Sequence, residues 1–131
     1  AWRRAAELAA AKVPVLLRPA LRAGAAGEPR LDAFVVLLRA GVATGLLPAD
    51  GSDLRMTAAM TMKHGASRDE ALKAVTLVPA AILGLAARIG SLEAGKDADL
   101  AVCSGDPFDV AVNMERVMIN GVWAAGKGIA R

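Results

Sequence analysis

One aspartate lies where a carboxylate could take part in chemistry. Asp50 belongs to the segment Pro48-Ala49-Asp50-Gly51, directly after a short apolar run from Val42 to Leu47. If that run is a parallel strand, Asp50 follows its carboxyl end, where the functional groups of parallel α/β folds collect. From there it could bind a metal ion or accept a proton. An aspartate before glycine more often bonds its own backbone in a turn, so a structural role is the commoner alternative.

The single histidine and the single cysteine both predict structural roles. His64 falls in the last turn of a predicted helix, where a cationic side chain meets the negative end of the helix dipole. Cys103 lies in an apolar run without a nearby histidine or basic residue, which predicts a buried, inert thiol. A catalytic zinc needs about three protein ligands. We therefore expect this chain alone to hold no metal cofactor.

Two apolar runs and the helix between them must position Asp50. Val13 to Leu17 and Val42 to Leu47 are short and almost continuously apolar, which is typical of strands buried on both faces. Between them, Leu31 to Ala40 has apolar residues at helical spacing, and Gly41 suits a left-handed helix end. The order strand, helix, strand predicts an α/β fold with parallel pairing, the unit of barrels and doubly wound sheets. Two strands cannot close a barrel.

Local end signals predict the helices that follow Asp50. Ser52 can cap the first of them, and Ser67 with Glu70 forms a capping box at the start of the second. Pro79 suits the first turn of a third. The predicted ranges are Asp53 to His64, Ser67 to about Leu77, and Ala80 to Leu83.

From Arg88 onward the residue pattern changes to glycines, aspartates and short β-type runs. We expect β-structure over Arg88 to Val102 and over Val117 to Ala125, with the two parts packed together. Asn120-Gly121 is a strong signal for a two-residue type I′ hairpin turn, because both positions need a positive φ.

Composition excludes several classes of protein. The chain has 131 residues, of which 55% are hydrophobic and 22% charged, so it has enough apolar surface to fold as one domain, or one domain with a short appendage. The longest charge-free stretch, Ala74 to Ala87, is too short for a membrane span. The net charge of +3 comes from scattered basic residues, and only four residues are aromatic, so we expect no nucleic-acid binding. Without a visible signal peptide, we expect a cytoplasmic location.

The stretch from Arg88 to Leu100, which reads RIGSLEAGKDADL, closely resembles the C-terminal signature of the amidohydrolase family. As in that family, a helical pair precedes it and short closing strands follow it. Less specifically, the two apolar runs are similar to the last two barrel strands of imidazolonepropionase-like members. The flanking segments that carry the resemblance are 67–76, 79–84, 105–108 and 117–123.

The resemblance implies a metal-dependent hydrolase that cleaves the carbon–nitrogen bonds of small-molecule amides, often cyclic ones. It implies a TIM-type (β/α)8 barrel and a small β-sandwich made from both chain ends. Residues 1–87 would then supply the last barrel strands and helices, and residues 88–131 the sandwich strands. The family's zinc or other divalent metal is bound by a His-x-His pair and later histidines that this chain lacks. We therefore expect the isolated chain to be inactive, and to need the missing upstream barrel segment or self-association.

The resemblance also suggests a role for Asp50. Family members carry an aspartate at the end of the eighth strand that binds metal and acts as general base towards the attacking water. It usually lies directly on the strand end, before a small residue or histidine and proline, and Pro48-Ala49-Asp50-Gly51 departs from this pattern. Either Asp50 is that aspartate displaced by two positions, or the aspartate has been lost, which the departure favours slightly. The second alternative predicts a degenerate, non-enzymatic relic that serves as an interaction or assembly module.

Overall fold

The structure, a computed structural model, describes residues 2–19, 32–49 and 53–126 and has a mixed α/β fold. Within these ranges no helix is long and apolar enough to cross a membrane. A 3-10 turn at Trp2–Arg4 leads into the first helix. The helices are α1 (Ala5–Ala10), α2 (Ala33–Arg39), α3 (Leu54–Lys63), α4 (Arg68–Val75) and α5 (Leu77–Ile82), and the strands are β1 (Val15–Leu17), β2 (Thr44–Leu46), β3 (Leu100–Cys103), β4 (Met114–Ile119) and β5 (Val122–Gly126).

The two apolar runs form the predicted pair of parallel strands, and each strand is shorter than the run that predicted it. β1 pairs with β2 from Val15 opposite Thr44 to Leu17 opposite Leu46. Beyond the strand end, the Leu47 amide donates to the Leu17 carbonyl at 2.8 Å. β2 is fully buried and contacts α2, α3, α4 and α5, whereas β1 is only half-buried. The helices cover the side chains of β2 and leave those of β1 partly open.

The helix ends follow the predicted chemistry with one correction. Asp53, not Ser52, caps α3, and its carboxylate accepts from the Met56 amide at 2.6 Å. The aspartate cap starts the helix one residue later than predicted, and Ser52 lies outside the described residues. The Ser67–Glu70 capping box of α4 is present with both of its hydrogen bonds.

The boundary between α4 and α5 differs from the prediction. α4 ends at Val75, short of Leu77, and α5 begins at Leu77 rather than Ala80. Thr76 breaks the helical path with φ −127° and ψ −84°, which separates the two helices. Pro79 lies in the first turn of α5, as predicted, where its missing N–H costs no helical hydrogen bond.

The last part of the chain forms a three-stranded antiparallel sheet in the order β3-β4-β5. The hairpin between β4 and β5 turns at Asn120-Gly121, as predicted. The expectation of β-structure from Arg88 was wrong up to Asp99, because this stretch folds into turns in which the Asp97 amide donates back to the Arg88 carbonyl at 2.8 Å.

The main core lies where α2, α3 and α4 cover β2. Most of its members are alanines, whose small side chains let the helices approach the strand closely. Phe108, from the segment after β3, joins this core and so attaches the antiparallel sheet to the helices. The buried members are Phe34, Leu46, Ala58, Ala66, Ala71, Ala74 and Phe108.

Candidate functional site

The carboxyl ends of β1 and β2 lie side by side, and the predicted site residue follows the second of them. Asp50 itself lies outside the described residues. Its chain neighbour Ala49 is described and is only 2% exposed. The structure therefore fixes the position from which the chain enters the Asp50 segment.

A buried threonine that the sequence did not single out holds this segment. The Ala49 amide donates to the Thr57 hydroxyl at 3.0 Å, and the same hydroxyl donates to the Asp53 carbonyl at 3.0 Å. Thr57 lies in α3 and is 1% exposed. One side chain thus bonds both ends of the stretch 49–53. In the sequence, Thr57 is marked only by its place four residues after the capping Asp53. This spacing is common in helices and does not indicate a contact with Ala49.

His64 and Cys103 lie apart from this segment. His64 is the exposed C-cap of α3, directly after Lys63, which agrees with the predicted helix-end position. Cys103 is free and half-buried, not buried as expected, since it ends an edge strand at a register shift between Val102 and Cys103.

The described residues do not fit a metal ion on their own. No group of three or more histidine, cysteine, aspartate or glutamate side chains able to hold one occurs in ranges 2–19, 32–49 and 53–126. A mononuclear catalytic zinc takes about three protein ligands. A metal ion bound by one of these residues would need further ligands from outside these ranges.

The signature stretch is held by its own polar side chains. The Lys96 ammonium donates to the Ser91 hydroxyl at 2.6 Å, and that hydroxyl donates to the Glu93 carboxylate. The Lys96 side chain is only 13% exposed. Two hydrogen bonds lower the pKa of the Glu93 carboxylate: the larger effect comes from the Ser91 hydroxyl, and the smaller one from the Lys96 ammonium. These groups close a turn, which explains their spacing without any catalytic role.

The same stretch also supports the hairpin. The Asp99 carboxylate accepts from the Asn120 amide at 2.7 Å, and the Gly121 amide donates to the Ala98 carbonyl at 3.1 Å. Arg88 pairs with Asp97 at 2.7 Å. An open pocket of about 260 Å³ lies between these groups, and it is lined by Leu85, Arg88, Ile89, Asp97, Asp99 and Asn120.

Two further ion pairs connect elements instead of lining a cleft. Arg39 of α2 donates to both carboxylate oxygens of Glu70 in α4 and to the Gly65 carbonyl. The hydrogen bond from Arg39 is the main cause that lowers the pKa of Glu70 to about 2, and the hydrogen bond from the Ser67 backbone amide is the second. Arg68 contacts Asp106 at 2.6 Å and lies over the Phe108 ring, so it bridges α4 and the segment after β3. Arg68 likewise lowers the pKa of Asp106.

Comparison with known proteins agrees with the resemblance seen in the signature stretch. The model of the amidohydrolase family matches residues 38–130. An imidazolonepropionase of Thermoplasma acidophilum is 41% identical over 71 residues, which are 52% of this chain and 17% of that protein. The amidohydrolase TasK of Hapsidospora irregularis is 38% identical over 66 residues, or 50% of this chain and 7% of the relative.

Among solved structures, an amidohydrolase from Thermotoga maritima superposes with a TM-score of 0.89 at 37% identity. The match covers 96% of this chain and 35% of that one. The chain thus spans about a third or less of the length of these relatives. Because the family model covers well over half of its residues, the chain belongs to the amidohydrolase family.

Proposed function

We propose that this chain is the C-terminal segment of a metal-dependent amidohydrolase that cleaves carbon–nitrogen bonds other than peptide bonds, often in cyclic amides. The two parallel strands and their helices are the end of a TIM-type barrel, and the antiparallel sheet is part of a β-sandwich. In the complete enzyme the metal ligands come mainly from the upstream part of the barrel. The isolated chain is inactive.

The observation that carries this proposal is that the Thermotoga maritima match covers almost all of this chain but only a small part of the other protein. Nearly all of this chain superposes on about a third of that protein. The strand pair β1–β2 supports the same conclusion, because β1 is half-buried and two parallel strands are only part of a closed barrel.

Asp50 is the one candidate catalytic residue that this chain contributes. Its position after β2 suits a general base towards the attacking water at the carboxyl end of a barrel. If Asp50 is not that residue, the alternative is a degenerate relic that acts as an interaction or assembly module. The departure of Pro48-Ala49-Asp50-Gly51 from the family pattern favours this alternative.

Metal content and amide hydrolysis test the proposal. The purified chain should hold no stoichiometric zinc and hydrolyse no amide. The chain joined to the upstream segment encoded before it should bind zinc and hydrolyse a panel of cyclic and linear amides. Asp50→Asn should abolish this hydrolysis, whereas Glu7→Gln on the exposed face of α1 should leave it unchanged.

Two results would contradict the proposal. Nearly one zinc per isolated chain that survives dialysis, and is lost on mutation of Asp50 or His64, would show a complete site in this chain. A joined protein that binds no metal and hydrolyses no amide would favour the relic.

A further inference from the structure

The segment between β3 and β4 forms a compact loop that closes on itself. At its base, the Ser104 amide donates to the Asn113 carbonyl at 3.0 Å, and the Asn113 amide donates to the Ser104 hydroxyl at 3.1 Å. Within the loop, the Asp109 amide donates to the Asp106 carbonyl at 3.0 Å. A loop whose ends meet and whose polar groups bond internally can move as one unit. We call residues 105–112 the strap.

Contacts with α3 and α4 hold the strap on the helices. The Phe108 ring is 9% exposed and lies in the main core, among alanines of both helices. Arg68 of α4 donates to the Asp106 carboxylate at 2.6 Å, and its guanidinium lies 6.0 Å from the centre of the Phe108 ring. Arg55 of α3 donates to the Val112 carbonyl at 3.3 Å. The ring is buried, whereas both arginine side chains are partly exposed.

The packing beside the ring is incomplete. A groove of about 200 Å³ separates the strap from the start of α3, with Met56 on one wall and Pro107 and Val110 on the other. Met56 is 42% exposed and Val110 is 79% exposed. The strap therefore buries little apolar surface beyond the Phe108 ring. A segment with few buried contacts opens at a lower cost in free energy than the whole fold.

The strap is also where the antiparallel sheet meets the main core. Among the described residues, Phe108 is the one buried member of that core that comes from the chain after α5. The turns over residues 83–99 connect the sheet to α5 along the chain. Detachment of the strap would therefore leave the sheet joined to the helices through these turns.

From these contacts we propose that the strap detaches from the helices as a unit, and that the ion pair between Asp106 and Arg68 controls how often it does so. In the open form the Phe108 ring has left the core and the ion pair is broken, while the helices and the sheet stay folded. This conformational device goes beyond the proposed function and does not depend on it.

Proteolysis of the folded full chain tests the proposal. Chymotrypsin cleaves after phenylalanine, and the chain has two of them, Phe34, which is 1% exposed, and Phe108. Either ring must leave the core before cleavage, so at low protease concentration the initial rate measures the population of the open form. Each rate is divided by the rate at the same site in the urea-unfolded chain. Cleavage after Phe108 should be about tenfold or more faster than cleavage after Phe34, because unfolding of the whole chain exposes both together.

Asp106→Asn tests the role of the ion pair. It removes the charge that pairs with Arg68, while the amide oxygen can still accept the Phe108 amide. The ratio of the Phe108 rate to the Phe34 rate should rise by about three- to fivefold, the upper range for a partly exposed ion pair. Exchange of the Ser104 amide, at the base of the strap, should stay unchanged and so show that the end of the sheet remains folded.

Arg39→Gln is the matched control, because it breaks the ion pair that α4 makes with α2 through Glu70. It should leave the ratio of the two rates unchanged. Equal rates at the two phenylalanines of wild type would overturn the proposal, and so would an Asp106→Asn ratio equal to wild type or an equal rise in Arg39→Gln. If Asp106→Asn does not fold, Arg68→Gln replaces it. That variant also removes the guanidinium over the Phe108 ring, so the ratio should rise at least as much.

Discussion

The backbone angles of Asn120 and Gly121 fix the turn between β4 and β5. Their φ angles are +49° and +78°, the positive values that a two-residue type I′ turn requires. Gly121→Val should lower the free energy of unfolding by about 1 kcal/mol or more, because a β-branched residue tolerates this region poorly. A Cβ there would meet only Ala98, at 3.9 Å, so the cost comes from the backbone angle.

Chemical denaturation of Gly121→Val, beside a second turn variant, Asn120→Gly, measures this loss of stability. Asn120→Gly is the control, since glycine adopts positive φ freely and keeps the backbone amide that donates to Asp99. A Gly121→Val protein as stable as wild type would contradict the turn.

Gly90 and Gly95 separate backbone strain from crowding. Both have positive φ, +96° and +90°. A Cβ on Gly90 would lie 2.9 Å from the Ala80 Cβ and 3.1 Å from the Thr76 carbonyl oxygen, whereas a Cβ on Gly95 would meet nothing within 4 Å. Gly90→Ala should therefore destabilise the fold by about 1–3 kcal/mol more than Gly95→Ala. Equal unfolding midpoints would show that the signature does not pack against α5 as described.

At the residue scale, sequence reasoning found positions with a local chemical signal. Asn120-Gly121 and the Ser67–Glu70 box carry such signals, and both were predicted. Thr57 carries none, because its importance comes from the Ala49 amide, which only the tertiary fold brings near. The half-buried position of Cys103 also depends on its edge strand and was not foreseen.

At the scale of elements, the Arg39–Glu70 pair makes the contact between α2 and α4 sensitive to acid. The pKa of Glu70 is lowered to about 2 in the folded chain, from an ordinary 4.5. A lowered folded pKa stabilises the fold at pH values above about 4.5, and this contribution is lost as the pH falls towards 2. Wild type should therefore exceed Glu70→Gln in stability near neutral pH, and the difference should shrink between pH 4.5 and 2.

Unfolding midpoints of both proteins across this pH range give the measurement. In an Arg39→Gln background the same comparison should show a smaller pH-dependent difference, because Arg39 is the largest cause of the shift. A wild-type minus Glu70→Gln difference that does not change from pH 6 to 2 would contradict the assignment.

The elements themselves were predicted to the extent that their signals are local. Caps and glycines located α2, α3 and α4 to within a few residues, because helix ends are decided by nearby hydrogen bonds. The turns from Arg88 to Asp99 were mistaken for β-structure, because the residue types of this stretch do not reveal that its side chains bond to one another, Arg88 to Asp97 and Lys96 to Ser91. The two parallel strands were placed correctly, yet the sequence did not show that helices bury β2 more completely than β1.

At the scale of the whole molecule, apolar surface is distributed unevenly. The helices enclose β2 and the alanine-rich core, while β1 is half-buried. On the hairpin, Ile119 is 51% exposed and Val122 is 68% exposed. Open strand edges and exposed β-branched residues favour pairing with another chain or segment.

The last prediction follows from this distribution. The isolated chain should not be a stable monomer in solution. It should self-associate through β1 and the exposed hairpin, or be stabilised by a polypeptide that supplies the upstream barrel strands. Sedimentation over a range of concentrations, with and without the co-expressed upstream segment, measures this. Ile119→Thr with Val122→Thr should weaken association on the hairpin side, and Glu7→Gln on α1 serves as a surface control. A sharp monomer with a cooperative thermal transition and no affinity for the upstream segment would mean that the chain closes its own core, and would favour the relic.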